Sequence, residues 1–516
     1  CQSNERENMI QDKILDIEQS VIGKSSSPWA KDHNDIAFTY VGMGISLIYS
    51  LFSFINITSD EGTSIKAIIF AVLVFLATFL AVYLTVTSIL KLSFRKNPAT
   101  TLLGIISAWI IYLVVSGFGH FALIDAEWEV VWANRVLVIV GQLMTESLTQ
   151  SYLPNQSWRL WSVLYLTFAI ISAAYGTTGD KPYKFLIPFT IFCGILTYIA
   201  WNPTAINYNS DEPVMKLLGA TILSYITFGL SYYYCSINEE YKANKLRSYL
   251  ALSSVFVFFF AVFIMNPPEA VQELCADIFS ISSDDNIQLT RCGGVEASQW
   301  GGIFVNLIVA TAGCVLGFGI GVVLAFGRQS ELPFFKYPSV ALIETVRSGP
   351  LICWLYFAVF LLPDIIDPFM DLEDIMRMLL IFGLFGGCYI AEVLRGGLQA
   401  VDSGQKEAAL ALGLSPMQTK LQVELPNAVR TTLPSIVSVF IGLWKDTTLL
   451  FIINILDFFK LAKDLPNTSP GYLGDFLEPL YVTALVFWIF AFYLSRISMK
   501  IEKGLGLTNE GGGEAA

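Results

Sequence analysis

Apolar runs of about 20 residues, long enough as helix to cross a hydrocarbon core of about 30 Å, recur along most of this chain. They predict spans at 36–57, 65–90, 101–123, 160–175, 185–201, 213–235 and 248–265. A second group follows at 302–327, 337–362, 376–396, 432–455 and 480–497. The fold is therefore expected to be all-α and polytopic, with about 12 transmembrane helices split seven plus five by the polar stretch 266–301. Residues 1–35 form a polar N-terminal segment without the apolar core of a signal peptide, and 498–516 form a tail.

The segment 130–148 is ambiguous, because Val136–Val140 is interrupted by Arg135, Gln142 and Glu146. Positive charge arbitrates. With that segment left out of the membrane, Lys91, Arg95 and Lys96, then Lys181 and Lys184, then Lys242, Lys245 and Arg247 all fall in loops on one face, as the positive-inside rule requires. The segment is thus expected to be peripheral or interfacial. Both termini become cytoplasmic, and Asp364, Asp367, Asp371, Glu373 and Asp374 gather in an outer loop.

Composition agrees: 54% of residues are hydrophobic and 14% charged, with mean hydropathy +0.59, beyond the usual apolar share of a soluble domain. A net charge of −12 matters less here than where the charges lie, and nothing suggests a nucleic-acid partner. Cys193, Cys235, Cys314, Cys353 and Cys388 lie in apolar runs, where cysteine behaves as a small hydrophobe, so no metal site is expected. Cys275 and Cys292 share the polar connector, where a disulfide is chemically permitted and two free thiols are the alternative. With only His33 and His120, a histidine proton relay is not expected.

Between the tenth and eleventh spans, residues 401–426 read as two short helices. Gln405 to Leu412 is rich in helix formers and is followed by Gly413, a C-terminal cap able to take positive φ. Ser415 can cap a second helix whose first residue is Pro416, and Pro426 is expected to end it before the next span. A short surface helix carrying small Ala408 and Ala409 suits a groove in another protein.

Glu407-Ala408-Ala409, Gly413 and Val423-Glu424-Leu425-Pro426 resemble the EAA loop of ABC-importer permeases, whose helix docks into the ATPase subunit. Trp300-Gly-Gly, 343–351 (Ile-Glu-Thr-Val-Arg-Ser-Gly-Pro-Leu), 389–397 (Tyr-Ile-Ala-Glu-Val-Leu-Arg-Gly-Gly) and 445–449 (Lys-Asp-Thr-Thr-Leu) narrow the resemblance to polar amino-acid permeases of the general L-amino-acid, Aap/Bzt-like type. Two departures stand out: Ser348-Gly349 where Gly followed by Thr or Val is usual, and Thr448 where Ser is usual. The likeness covers 300 to about 506 and implies a five-helix type I ABC-importer core at 302–497, preceded by a seven-span extension at 36–265 that it does not explain.

What the resemblance implies is a permease subunit in a bacterial inner membrane. Glu407, Ala408, Ala409, Gly413, Leu425 and Pro426 would couple to a dimer of ATP-binding subunits. It also implies a second, homologous permease, a periplasmic substrate-binding protein, surrounding lipid and an amino-acid substrate. ATP and Mg would belong to the partner ATPase, and no cofactor is expected in this chain, which has no Gly-x4-Gly-Lys-Ser/Thr loop.

Along the path, Gly313, Gly317 and Gly321 repeat every four residues and predict close helix packing. Ser348-Gly349-Pro350 is expected to break the ninth span, which is tolerated at depth where backbone faces protein or a wet cavity. Glu344 and Arg347 are spaced to pair on one face, either as a cavity wall or as a structural ion pair. Glu392 either meets a substrate ammonium or pairs with Arg395, and Asp446 either contacts substrate or is neutralised by Lys445. An ion-gradient-driven secondary transporter of 12 spans is the alternative, disfavoured by the seven-plus-five asymmetry and the lack of clear repeats. No loop offers the cluster a membrane enzyme would need.

Overall fold

The structure is a computed structural model that describes residues 28–61, 64–90, 98–141, 153–179, 181–201, 211–238, 240–279, 292–295, 300–366, 374–453 and 455–504. Lys91, Arg95, Lys96, Asp367, Asp371 and Glu373, on which part of the charge argument rests, lie outside the described residues. Among the described residues, 11 helices are long and apolar enough to cross a membrane, and one bent pair brings the number to 12. The chain is a mostly helical, multi-pass membrane protein.

Two compact units divide at Glu127 and Trp128. The first holds α1 (Pro28–Asp60), α2 (Ile65–Leu90) and α3 (Pro98–His120). On α1, Gly42, Ser46 and Ser50 recur every four residues, and Ser46 and Ser50 return their hydroxyls to the carbonyls of Gly42 and Ser46 at 2.6 Å. Neither serine therefore presents an unpaired group, and the small stripe lets α2 approach closely: a methyl at Gly42 would lie 2.6 Å from Thr87.

The second unit opens with α4 (Glu129–Ala133) and α5 (Arg135–Val140), the described part of the ambiguous segment. Both are far too short to span. Arg135 is buried and donates to the carbonyls of Trp132, Ile199 and Trp201, so its charge is met by backbone oxygens. Then come α6 (Leu153–Gly176), α7 (Tyr183–Ala200), α8 (Asp211–Ile237), α9 (Glu240–Met265) and the short α10 (Glu269–Ile278). A disulfide joins Cys275 to Cys292 with Cα atoms 5.6 Å apart.

The main hydrophobic core surrounds α11 (Gly302–Arg328) and α14 (Asp374–Gln399). The predicted glycine stripe works as packing and meets glycines of the partner helix. A Cβ on Gly317 would lie 3.2 to 3.3 Å from the backbone of Gly383, Gly386 and Gly387, and one on Gly321 only 2.7 Å from Ile390. The Trp300-Gly-Gly opening has a local cause as well. Trp300 is fully buried with its indole N–H on the Val295 carbonyl at 2.9 Å, and Gly302 takes φ +67° where a Cβ would lie 2.5 to 2.6 Å from the backbone of Val138 and Ile139.

The ninth predicted span is not straight. Helix α12 (Pro333–Ser348) and the helical stretch from α13 (Leu351–Tyr356) to Ile365 meet at 108°. The loop helix α15 (Ser403–Ala411) and α16 (Pro416–Thr419) lead into α17 (Leu425–Asp446), which is followed by α18 (Phe458–Asp464) and α19 (Leu477–Gly504).

Candidate functional site

The loop between α14 and α17 is held by its own caps. Asp402 accepts the Gly404 N–H at 2.9 Å to start α15. At the other end Gly413 takes φ +86°, with its N–H on the Leu410 carbonyl and the Leu414 N–H on the Ala409 carbonyl, the paired bonds of a Schellman ending. Ser415 and Gln418 then form a reciprocal capping box, with Pro416 in the first turn of α16. Two rigid helices thus flank a turn only glycine takes comfortably.

Pro426 does not end the second helix, as the sequence suggested. The helix runs on from Pro416 to Ile453 through a π turn at Lys420–Glu424, in which the Leu425 N–H bonds to the Lys420 carbonyl. The wider turn shifts the hydrogen-bond register where proline supplies no donor, so the helix continues.

Within the loop, Ala409 is buried while Glu407, Ala408, Gly413 and Pro426 are exposed and Leu425 is half-buried. The loop is braced against its stem by Asn427, which donates to Gln405 at 2.7 Å, and by Lys406, 3.9 Å from the buried Glu424. Leu412 and Met417, which sequence reasoning passed over, are 83% and 65% exposed beside the turn. Large apolar side chains are thus held outward on a capped loop, the kind of exposed apolar surface that suits contact with another protein.

Glu344 and Arg347 do not pair with each other as their spacing suggested. Glu344 meets Arg328 at 3.0 Å, and Arg347 reaches Glu392 at 3.5 Å. Glu392 is the hub: Arg328 bonds its carboxylate at 2.9 Å and Arg395 holds the other oxygen, while Arg347 also stacks over Tyr389. Sequence reasoning missed Arg328, the last residue of α11, although an arginine ending an apolar helix is a visible signal. The cluster joins α11, α12 and α14. Glu392 precedes the end of α14 by only about 10 Å at 1.5 Å per residue, so it sits toward the loop end rather than at mid-helix. With three guanidiniums to two carboxylates the cluster carries a surplus positive charge.

Asp446 lies elsewhere, half-buried at the last position of α17, and among the described residues it enters no ion pair. Ser348, Gly349 and Pro350 form the corner of the bent pair. There Gly349 and Pro350 are extended, Ser348 bonds back to Thr345, and the Trp354 indole N–H caps the Val346 carbonyl at 3.0 Å. The freed backbone is thereby partly satisfied from within.

At the opposite end of α11 is a network the sequence reading did not single out. Asn306, Thr447 and Asp457 are all fully buried. Asn306 donates to Thr447 Oγ1 at 3.0 Å and to Asp457 at 3.4 Å, and accepts the Phe458 N–H at 2.9 Å. Asp457 accepts the N–H groups of Phe459 and Lys460 to cap α18. Burial pushes its carboxyl up to about 6 against those hydrogen bonds.

Residues 317–505 match the family described as "Binding-protein-dependent transport system inner membrane component". The glutamate/glutamine/aspartate/asparagine transport system permease protein BztC of Rhodobacter capsulatus is 39% identical over 211 residues, 41% of this chain and 49% of that protein. This chain thus spans about half the length of that relative. The probable glutamine ABC transporter permease protein GlnP of Bacillus subtilis is 31% identical over 207 residues, 40% of this chain and 93% of that protein. A solved amino acid ABC transporter with histidines is similar over 39% of this chain and 90% of that one, at 23% identity and a TM-score of 0.34. Because 93% of GlnP aligns with this chain at 31% identity, and the family match at residues 317–505 takes in the capped loop and the arginine cluster, the chain belongs to the binding-protein-dependent transport system inner membrane component family.

Proposed function

We propose that this chain is the membrane-spanning subunit of an ATP-driven importer of amino acids in a bacterial inner membrane. The observation that carries the reading is the loop 401–426: a Schellman ending at Gly413 and a capping box at Ser415 present Glu407, Ala408 and exposed Leu412 on a rigid support. In this reading the loop faces the cytoplasm, as do both termini. It docks into a dimer of ATP-binding subunits, which bind ATP and Mg. A second homologous permease completes the pair, and a periplasmic substrate-binding protein delivers substrate. The family membership favours this over an ion-gradient-driven carrier, and the amino-acid class follows what the matched relatives are named for.

Glu392 is held by three arginines, so a substrate ammonium would have to compete with them for its carboxylate. Asp446, in no ion pair among the described residues, is the better counter-charge to an ammonium in the path. Glu344, Arg347 and the Ser348–Pro350 corner then belong to the wall and its mechanical support.

The test replaces Gly413 by Val. A β-branched residue is strained at φ +86°, so ATP-dependent uptake of labelled amino acids (Glu, Gln, His, Leu) by the reconstituted complex should fall at least about tenfold while membrane insertion is kept. Unchanged uptake removes the turn from coupling. Uptake by the chain alone under an ion gradient, without ATP, overturns the functional class.

A further inference from the structure

Helix α10 follows the α9 span after only three residues, Asn266, Pro267 and Pro268. Three residues reach at most about 10 Å, so the start of α10 lies close to the end of a membrane-spanning helix. Its three faces differ in character. Gln272 and Ala276 are buried, and the Gln272 amide bonds to the Pro267 carbonyl at 2.7 Å. Glu269, Glu273 and Asp277, spaced four apart, form an acidic stripe. On another side Val271, Leu274, Ile278 and, at the helix end, Phe279 are 37%, 59%, 68% and 72% exposed. These apolar side chains are held out by structure rather than left loose.

The hold is covalent and level with the span ends. Cys275 is bridged to Cys292, and the Val295 N–H bonds to the carbonyl of Met265, the last residue of the α9 span. Arg159 donates to the carbonyls of Cys292, Gly293 and Ile264. It stacks on Trp158, which is 40% exposed and is the first residue of the α6 span. An exposed tryptophan at a span end is the residue type of the membrane–water boundary. The disulfide therefore anchors α10 at the level of the boundary itself.

We propose that α10 is an interfacial helix: Leu274, Ile278 and Phe279 seat in the boundary of the lipid bilayer, with the acidic stripe turned to water. The stripe carries no Lys or Arg, so the occupant is the apolar and zwitterionic part of the interface rather than anionic headgroups. The disulfide fixes which side of the helix meets lipid, and its presence places this surface on the oxidising face of the membrane.

The test uses the full chain in phosphatidylcholine nanodiscs, with Cys1, Cys193, Cys235, Cys314, Cys353 and Cys388 replaced by Ala and the bridge kept. Spin labels on Leu274→Cys and Glu273→Cys are compared for relaxation by oxygen, which concentrates in lipid, and by a water-soluble nickel chelate. The oxygen-to-nickel ratio should be at least about threefold higher at 274 than at 273. Equal ratios overturn the proposal. So does shielding of position 274 from both reagents, which would mean that protein covers it. As a check free of new thiols, a benzophenone amino acid at Ile278 should crosslink to phospholipid and one at Glu273 should not; crosslinks from 278 only to protein also overturn it.

Discussion

The two ends of α11 carry polar joints of opposite kinds. Near its start Asn306 is fully buried in a hydrogen-bonded set with Thr447 and Asp457. Some 33 Å further along the helix, Arg328 joins an ion cluster whose side chains are 23–57% exposed. Buried polar groups are costly to separate because the alternative is an orphan in a dry site, whereas ion pairs partly open to water exchange for it at less cost. The difference teaches where this helix is pinned and where it is free to part from its neighbours. The pinned end holds α17 and α18, and the exchangeable end lies toward the 401–426 loop, where motion driven by a partner would enter.

The largest effect is expected from Asn306→Leu. It orphans the Phe458 N–H and removes donors from Thr447 and Asp457, each orphan costing about 1–3 kcal/mol. Thermal unfolding of the purified chain in detergent should begin well below the wild type; an unchanged transition would mean this end is not pinned.

A smaller effect follows from acid–base linkage at the same end. Asp457 is raised to about 6 from an ordinary value near 4, so the folded state binds its proton more tightly than the unfolded state does. Its contribution to stability is fully present below about pH 4 and is lost as pH rises through about 6. Asp457→Asn should flatten that stretch of the stability profile between pH 4 and 7. A slope that survives the substitution must come from another group.

The smallest stability effect belongs to the exchangeable end. Glu392→Gln should change stability by less than about 1 kcal/mol, and added salt should shrink the difference further. Transport is the sharper readout, since three arginines would lose their shared partner where α11, α12 and α14 meet. A loss of stability as large as that of Asn306→Leu would erase the contrast between the two ends.

Much of this molecule was legible in the residue order. Apolar runs placed the spans, because in hydrocarbon a helix must satisfy its backbone within itself and only length and polarity decide whether it crosses. Gly413, Ser415 and Pro416 announced the loop's caps because caps are local, made from neighbours within a few residues. The order of residues also held the family's motifs and the four-residue glycine stripe. What lay beyond it depends on contacts between residues far apart in the chain. Arg328 rather than Arg347 pairs with Glu344, because which arginine reaches which carboxylate depends on how α11 lies against α12. Asn306 finds Asp457 from 151 residues away, and Cys275 meets Cys292 because Arg159 and Met265 hold the connector against two span ends. Pro426 is the local exception: a π turn just before it absorbs the missing donor and leaves the helix unbroken. Sequence determined the elements and their local endings, where the physics acts within a turn of helix. Tertiary structure decided the long-range partners of Arg328, Glu344, Arg347 and Asp457, because pairing between helices turns on distances that only packing sets.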